Sequence, residues 1–125
     1  MGYRSEVAYA VKFRDREHRI RFMATQALNP HLDLTEFRVL NDDTIIFHAI
    51  ERKWYDKYDD VKAHNQLLSD AKDQECSFEF SRVGEGHNDI YECGNEGGTS
   101  LIEIHTTMHI TSMEDSVAYP IGEQL

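Results

Sequence analysis

The sequence has little that could cross-link it or carry it into a membrane. Its 2 cysteines, Cys76 and Cys93, are too few and too unpatterned for a disulfide framework, so reduced thiols are expected. No apolar run approaches the roughly 18–20 residues of a membrane-spanning helix, and the N-terminus lacks the apolar core of a signal peptide. We therefore expect a cytoplasmic protein with no membrane partner.

Basic residues are also scarce. Lys and Arg number 13 against 23 Asp and Glu, for a net charge of −10. Residues 1–21 hold 6 basic and 3 acidic side chains (+3), which leaves 7 basic and 20 acidic ones (−13) in residues 22–125. A negative field repels nucleic acid and attracts basic surfaces, so the expected partner is a protein with a basic surface and nucleic acid is unlikely as one. The alternative is that the acidity only keeps the protein soluble.

What the sequence does contain is the pattern of a single α+β domain. The predicted elements, in chain order, are a strand over 5–13, a helix from Asp15 to Asn29-Pro30, strands over 36–40 and 44–52 around the turn 41–43, a helix capped by Asp59 and Asp60, and strands over 77–83, 88–93 and 101–111. The first six match the βαββαβ order of a ferredoxin-like sandwich, with both helices on one face of an antiparallel sheet. One or two C-terminal strands would extend that sheet or fold over it. Residues 1–112 are expected to form the domain and 113–125 a loosely held tail.

Periodicity also predicts which faces are buried. In the first strand, small alanines at 8 and 10 predict a central strand with a helix packed on the alanine side. The predicted apolar stripe of the first helix is Ile20, Met23, Ala24, Ala27 and Leu28, with Arg14, Arg16, Arg19 and Arg21 on the exposed side. That of the second helix is Val61, His64, Asn65, Leu68 and Ala71.

Two histidines in the predicted last strand raise the question of catalysis. His105 and His109 each begin a His-x-Thr triplet, similar to the signature of two-histidine phosphoesterases, which need such triplets on two facing strands. On one strand the two residues would lie about 13 Å apart, too far to share a metal. We therefore expect no metal, no cofactor and no catalytic residue. An enzyme acting on a nucleotide through His105 or His109 is the alternative.

An aromatic and acidic segment is the candidate binding site. The residues are Trp54, Tyr55, Asp56, Tyr58, Asp59 and Asp60, with Glu85 and Asp89 expected nearby. Trp and Tyr commonly anchor protein interfaces, and surrounding carboxylates steer a basic partner toward them. The alternative is that Trp54 packs in the core and the aspartates only cap the second helix. For Trp54 alone that alternative is favoured, since a lone Trp is usually buried.

Three segments carry a resemblance to other proteins: MGYRSEVAYAVKF (1–13), KWYDKYDDV (53–61) and SFEFSRVGEGHNDIYE (77–92). They are similar to a known family of small proteins that are encoded mainly by bacteriophages and whose N-terminus has the form Gly-Tyr-Arg-Ser-acidic-Val. The matching positions are Gly2, Tyr3, Arg4, Ser5, Glu6, Val7, Trp54, Tyr55, Asp59, Asp60, Val61, Phe80, Arg82, Val83, Gly84 and Glu85. The resemblance implies a phage origin, a compact cytosolic domain and no assigned chemistry.

Resemblance and charge together lead to a hypothesis about function. The chain is expected to be a non-catalytic phage accessory protein that binds and inhibits a host protein in the cytoplasm of the infected bacterium. A host defence component that handles nucleic acid carries the basic surface that such a protein would meet, so anti-CRISPR or anti-restriction action is the concrete form. A structural or self-associating phage component is a further alternative, and the oligomeric state is left open.

Overall fold

The computed structural model describes residues 4–84, 90–94, 102–104, 108–110 and 117–118, with side chains for 4–84 and 91–94. The elements are β1 (Ser5–Lys12), α1 (Arg16–Gln26), a 3-10 turn (Leu34–Glu36), β2 (Phe37–Leu40), β3 (Thr44–Arg52), α2 (Asp59–Asp73), β4 (Ser77–Gly84), β5 (Ile90–Gly94), β6 (Ile102–Ile104), β7 (Met108–Ile110) and β8 (Val117–Ala118). The predicted order strand, helix, two strands, helix, strand is confirmed for the first six regular elements.

Among the described residues, six strands form one sheet in the order β5-β4-β1-β3-β2-β8, and β6 pairs with β7 in a separate two-stranded sheet. Every strand pairing in this part of the chain is antiparallel. Buried residues of both helices join one core cluster with Val7, Tyr9 and Val11 of β1. The chain is therefore an α+β protein with an antiparallel sheet and two helices on one face, as predicted at that level.

The register of the central strands lines up a row of aromatic rings beneath the helices. Tyr9 lies opposite Phe47 on β3 and Phe80 on β4, and Phe47 lies opposite Phe37 on β2. Neighbouring ring centroids along the row are 5.1–6.2 Å apart. Aromatic pairs at these separations contribute attraction beyond the area they bury. Helix α2 packs against this row of rings, which we call the aromatic floor: Phe37, Phe47, Tyr9 and Phe80.

The predicted packing of β1 is right about its position and wrong about its faces. β1 is central, and its residues 7–11 are fully buried on both sides, but the helices cover the face of Tyr9, not the face of Ala8 and Ala10. The backbone of β6 approaches β1 to within 8 Å. Small side chains admit the close approach of any backbone, so alanines alone do not distinguish a helix from a hairpin.

The predicted start of α1 is confirmed, but its buried stripe is only partly right: Met23 is buried as predicted, whereas Ala27 and Leu28 are exposed. Asp15 is the N-cap, and its Oδ1 accepts a hydrogen bond from the backbone N–H of His18 at 2.7 Å. Leu28 is 82% exposed because α1 ends at Gln26, before the predicted stripe does. Arg19, expected on the exposed side, is fully buried, and its Nε donates to the carbonyl of Asp42 at 2.6 Å. The buried residues are Arg19, Phe22, Met23 and Gln26.

In α2 three of the five predicted stripe residues, Val61, His64 and Ala71, are buried, and the stripe is wrong at Asn65 and Leu68. The capping prediction is wrong about the cap position, although Asp60 Oδ1 accepts a hydrogen bond from the backbone N–H of Val61 at 2.9 Å. Tyr58 occupies the N-cap without a side-chain capping bond, and Asp59 and Asp60 lie inside the first turn. Leu67 is fully buried, whereas Leu68 is only partly buried at the edge of the core. The two adjacent leucines fit a 3.6-residue period equally well, so the pattern alone does not choose between them. The buried residues are Val61, Ala63, His64, Leu67 and Ala71, and Asn65 is exposed.

The predicted hairpin over β2 and β3 is confirmed, including its turn. Asn41 and Asp42 adopt φ angles of 55° and 65°, a region in which these two residue types are tolerated better than most. Ile46 and Phe47, on opposite faces of β3, are both buried, as expected for a strand covered on both sides. That burial ends before Ile50, which is 66% exposed.

The single strand predicted over 101–111 is wrong, since β6 and β7 are two antiparallel strands. Ile102 pairs with Ile110 and Ile104 with Met108. Paired residues of an antiparallel hairpin lie on the same face of the sheet. With three residues between the two strands, the even-numbered positions of both strands lie on that face. The alternation therefore looks the same as that of one long strand. Farther on, Val117 and Ala118 pair with β2, so the segment predicted as a loose tail contributes a strand.

Candidate functional site

Trp54 is a core residue. It is 7% exposed, and its ring lies 6.0 Å from Phe47, 5.3 Å from His64 and 6.3 Å from Phe80. Loop residues that carry a large aromatic side chain into a core are anchored by it. Trp54 therefore fixes the segment between β3 and α2 on the aromatic floor, and it is removed from the set of surface anchors.

Asp60 is held by an ion pair within the protein. Its Oδ2 lies 2.8 Å from Arg52 NH2, and the same guanidinium also binds the carboxylate of Glu36. All three side chains are 25–35% exposed. A guanidinium shared between two carboxylates has less capacity for an outside ligand, and each carboxylate is partly neutralised. Asp60 therefore stabilises the start of α2 and contributes little steering charge.

The exposed remainder of the predicted site is a short surface segment that we call the tyrosine–aspartate loop: Tyr55, Asp56, Tyr58 and Asp59. The two tyrosine rings meet edge to face at 5.4 Å and 81°, and Tyr58 packs against the core. Asp56 is exposed, and the side chain of Asp59 is 66% exposed and 3.9 Å from His31. The structure thus brings these four residues together. Glu85 and Asp89, also expected here, lie outside the described residues.

Beneath this loop lies a buried polar pair that the sequence reading does not identify. Tyr9 and His64 are 0% and 1% exposed, and Tyr9 Oη lies 2.6 Å from His64 Nδ1. Burial is the main factor raising the pKa of Tyr9 well above its ordinary value, so the hydroxyl keeps its proton. The Glu36 carboxylate, 3.8 Å from Nε2, favours the tautomer of His64 with its proton on Nε2, and in that tautomer Nδ1 accepts a hydrogen bond from the Tyr9 hydroxyl.

His64 Nε2 faces a carboxylate without a hydrogen bond of normal length. It lies 3.8 Å from Oε1 of Glu36. The interaction with His64, followed by that with Arg52, lowers the pKa of Glu36 to about 2 against the cost of burial. The carboxylate in turn raises the pKa of Arg52. Together Tyr9, His64, Glu36, Arg52 and Asp60 form what we call the Tyr9–Asp60 network.

The Tyr9–Asp60 network resembles an acid–base chain but is closed to substrates. A tyrosine, a histidine and a carboxylate in sequence can relay a proton where a reacting group can reach one of them. Here the tyrosine and the histidine are sealed under α2, and only the Glu36–Arg52–Asp60 end reaches solvent. The network therefore ties β1, the 3-10 turn, β3 and the first turn of α2 together. A histidine on an apolar stripe signals a buried partner, but nothing in the pattern points to a tyrosine 55 positions away.

Two concave surfaces lie elsewhere on the part of the chain that the structure describes. One, of about 440 Å³, lies on α1 and reaches the residue after α2; its described lining is Arg14, His18, Arg21, Phe22, Thr25 and Gln74. The other, of about 300 Å³, is mainly apolar and lies between α2 and strands β4 and β5; it includes Leu68, Phe78, Phe80, Tyr91 and Cys93. The lining of the first combines two cationic side chains, Arg14 and Arg21, with an aromatic one, Phe22.

The structure changes the geometric argument about the alternative function, an enzyme acting on a nucleotide through His105 or His109. His109 belongs to β7, opposite Glu103 on β6, so the single-strand spacing used against it no longer applies. His105 lies outside the described residues. Within residues 4–84 and 91–94, no three His, Cys, Asp or Glu side chains are grouped to hold a metal ion. An enzyme acting through these histidines stays a hypothesis from sequence.

Comparison of the chain with protein-family models, curated proteins and solved structures finds no match. In the described part of the chain, no helix combines the length and the apolar character needed to cross a membrane. The class of protein that the structure defines is thus an α+β domain with an exposed tyrosine–aspartate loop and a basic pocket, and its function has to be argued from those surfaces.

Proposed function

We propose that this chain is a non-catalytic binding protein that attaches to a basic surface of another protein through the tyrosine–aspartate loop. The observation that carries the proposal is the pairing of two partly exposed tyrosines with two exposed carboxylates on one anchored segment. Tyrosine is enriched at the centres of protein interfaces, where its ring buries area and its hydroxyl finds a partner. Carboxylates at the rim increase the association rate with a basic partner.

Anchoring makes this segment suited to binding. Trp54 holds it from below, Tyr58 packs against the core, and Arg52 fixes Asp60 in the following turn. A segment that is already ordered loses less conformational entropy when it meets a partner. The partly exposed Tyr55 and the exposed Asp56 and Asp59 are therefore displayed on a support that does not need to refold.

The finer form of the proposal is an accessory protein of a bacteriophage that inhibits a host protein. The similarity of its N-terminal and central segments to small phage proteins supports the origin, and the charge of −13 over residues 22–125 supports a basic target. Host defence proteins that handle nucleic acid carry such surfaces, so anti-CRISPR or anti-restriction action in the host cytoplasm is the form we favour.

We also assign the core to the ferredoxin-like βαββαβ arrangement. The central strand order β4-β1-β3-β2, with α1 after β1 and α2 after β3, supports this assignment. β5 and β8 then extend the sheet at its two edges. Fold alone does not assign a function, so this part of the proposal does not bear on the choice of partner.

The test is capture of a partner from bacterial lysate at low and at moderate ionic strength, followed by kinetics with the purified partner. Asp56→Asn with Asp59→Asn is expected to slow association by about tenfold and to flatten its salt dependence, with little change in dissociation. The matched control, Asp73→Asn with Glu75→Gln, removes the same charge about 22 Å away at the other end of α2. Equal slowing by both pairs would show a general field effect and would remove the loop from the proposal.

Tyr55→Ala tests the contact itself. Removal of an interface anchor is expected to raise the dissociation rate by about tenfold or more. The variant retains Trp54 and Tyr58, so the support of the loop is preserved. A dissociation rate unchanged by Tyr55→Ala would place the contact elsewhere on the molecule.

A further inference from the structure

The basic pocket on α1 contrasts with the rest of this acidic protein. His18, Arg21 and Thr25 follow one another at spacings of three and four residues, which places them on one face of α1. Arg14, the residue before the N-cap Asp15, joins them in the lining of the pocket. Phe22, 3% exposed, lines the pocket beside them, and Gln74 closes it from the end of α2. No carboxylate is among the described residues that line it, in a chain whose net charge is −10.

Hydrogen bonds fix the central part of the pocket. The backbone N–H of Arg14 donates to His18 Nδ1 at 3.2 Å, so the proton of the neutral ring is on Nε2. His18 Nε2 then donates to Gln74 Oε1 at 2.7 Å. With its oxygen engaged by His18, the carboxamide of Gln74 has its NH₂ group as the remaining donor. The two helices thus hold one polar floor in place before any ligand arrives.

The cations of the pocket keep donors available. The side chains of Arg14 and Arg21 are both 73% exposed. Glu17 binds Arg21 NH2 at 2.9 Å, and Asp15 Oδ2 lies 4.0 Å from Arg14 Nε, a long contact. Each guanidinium has five N–H donors, so one carboxylate leaves most of them for a second anion. Because Asp15 already caps α1, the anion site rests on these side chains and not on the helix N-terminus.

We propose that this pocket binds a small organic phosphate. Two guanidinium groups and an amide NH₂ suit the three terminal oxygens of a phosphate monoester, which arginine binds with paired hydrogen bonds. A volume of about 440 Å³ falls within the range of small-molecule sites and exceeds what inorganic phosphate alone requires. The rest of the ligand would lie against Thr25 and the edge of Phe22, so a nucleoside monophosphate is the appropriate probe.

The test is an NMR titration of the ¹⁵N-labelled full chain with AMP, adenosine and inorganic phosphate at low ionic strength. AMP is expected to shift the amide signals of residues 14–25 and 74, inorganic phosphate to act on the same signals with lower affinity, and adenosine to leave them unchanged. Arg14→Gln and Arg21→Gln are each expected to weaken AMP binding by about tenfold. Arg16→Gln is the matched control, since Arg16 is exposed on the same helix but does not line the pocket.

Defined results would overturn the proposal. Equal weakening by Arg16→Gln and Arg14→Gln would show attraction to a charged face without a site. Binding of adenosine as tight as that of AMP would exclude phosphate recognition, and the absence of shifts at 10-fold excess over about 1 mM protein would exclude a useful affinity. A single-stranded oligonucleotide that binds more tightly than AMP through Arg14 and Arg21 would assign the pocket to a nucleic-acid backbone instead. Circular dichroism of each variant confirms that the fold is retained.

Discussion

Tyr9→Phe is the substitution that isolates the buried polar pair. It removes one hydroxyl and leaves the ring in the aromatic row, so packing against Phe47 and Phe80 is preserved. What is lost is the 2.6 Å hydrogen bond to His64 Nδ1, at a site where His64 is only 1% exposed. A buried acceptor left without its donor costs about 1–3 kcal/mol. We expect a decrease of about 2 kcal/mol in the free energy of unfolding.

Urea denaturation followed by the fluorescence of Trp54 measures this change. Trp54 is the only tryptophan, and its ring lies 5.3 Å from His64, so the probe reports on the site itself. With a denaturant slope of about 1.5 kcal/mol per molar, a loss of 2 kcal/mol lowers the midpoint by about 1.3 M. Tyr91→Phe, at a half-exposed tyrosine, is the control and is expected to change stability by less than about 0.5 kcal/mol.

A double substitution tests whether the loss of stability in Tyr9→Phe comes from leaving His64 without its hydrogen-bond partner. Replacing both partners, Tyr9→Phe with His64→Leu, leaves no unsatisfied polar atom in the pair and is expected to recover part of the loss. Two results would refute the reasoning: a midpoint for Tyr9→Phe within 0.3 M of the wild type, or a double variant whose losses simply add. Either would mean that the hydroxyl and the imidazole are not energetically coupled.

Two further predictions concern the carboxylate end of the network and the phase of α2. A pKa of Glu36 lowered from 4.5 to about 2 corresponds to roughly 3 kcal/mol, which partial exposure reduces to about 1–2 kcal/mol. Because the folded-state pKa is depressed, this stability is present above pH 4.5 and lost as the pH falls toward 2, so urea midpoints of wild type and Glu36→Gln should differ at pH 6 and converge near pH 2. Glu75→Gln should show no such convergence, and a constant gap for Glu36→Gln would contradict the assigned shift. Leu67→Ala is expected to cost about 2–5 kcal/mol and Leu68→Ala clearly less, measured by the same denaturation, with the reverse order contradicting the observed phase.

The sequence predicts most of the order of elements because local rules set it. The Asp15 cap, the polar turn at 41–43 and the alternation of β4 each depend on neighbours within a few residues. The errors arise where a local pattern has two solutions. Leu67 and Leu68 fit the same helical period, and a hairpin with three intervening residues repeats the alternation of a continuous strand. Only packing against the rest of the chain decides between them.

The candidate site is predicted less well for a related reason. The sequence locates the candidate residues in one segment. It does not distinguish the side chains that contact the rest of the protein from those that face solvent. Trp54 and Asp60 look equivalent to Tyr55 and Asp56 until the positions of Phe47 and Arg52 are known. The inward partners are 7 and 8 residues distant and on another element. Long-range partners such as Tyr9 for His64 leave no periodic trace at all.

The charged residues at the two ends of α2 have a purely structural explanation, but that explanation does not cover the rest of the loop or the basic pocket. Acidic groups stabilise a helix N-terminus and basic groups a C-terminus by about 0.3–1 kcal/mol each, which accounts for Asp59 and Asp60 in the first turn and for Lys72 in the last. It does not account for Asp56, which precedes the helix, or for the partly exposed ring of Tyr55 beside it. Nor does it account for the arginines of the basic pocket, since Arg21 lies in α1 and Arg14 directly before its cap. The two ends are about 22 Å apart, beyond the roughly 8–10 Å over which charges act at ordinary ionic strength, so we expect a charge change at the loop to leave the electrostatic attraction at the pocket unaltered.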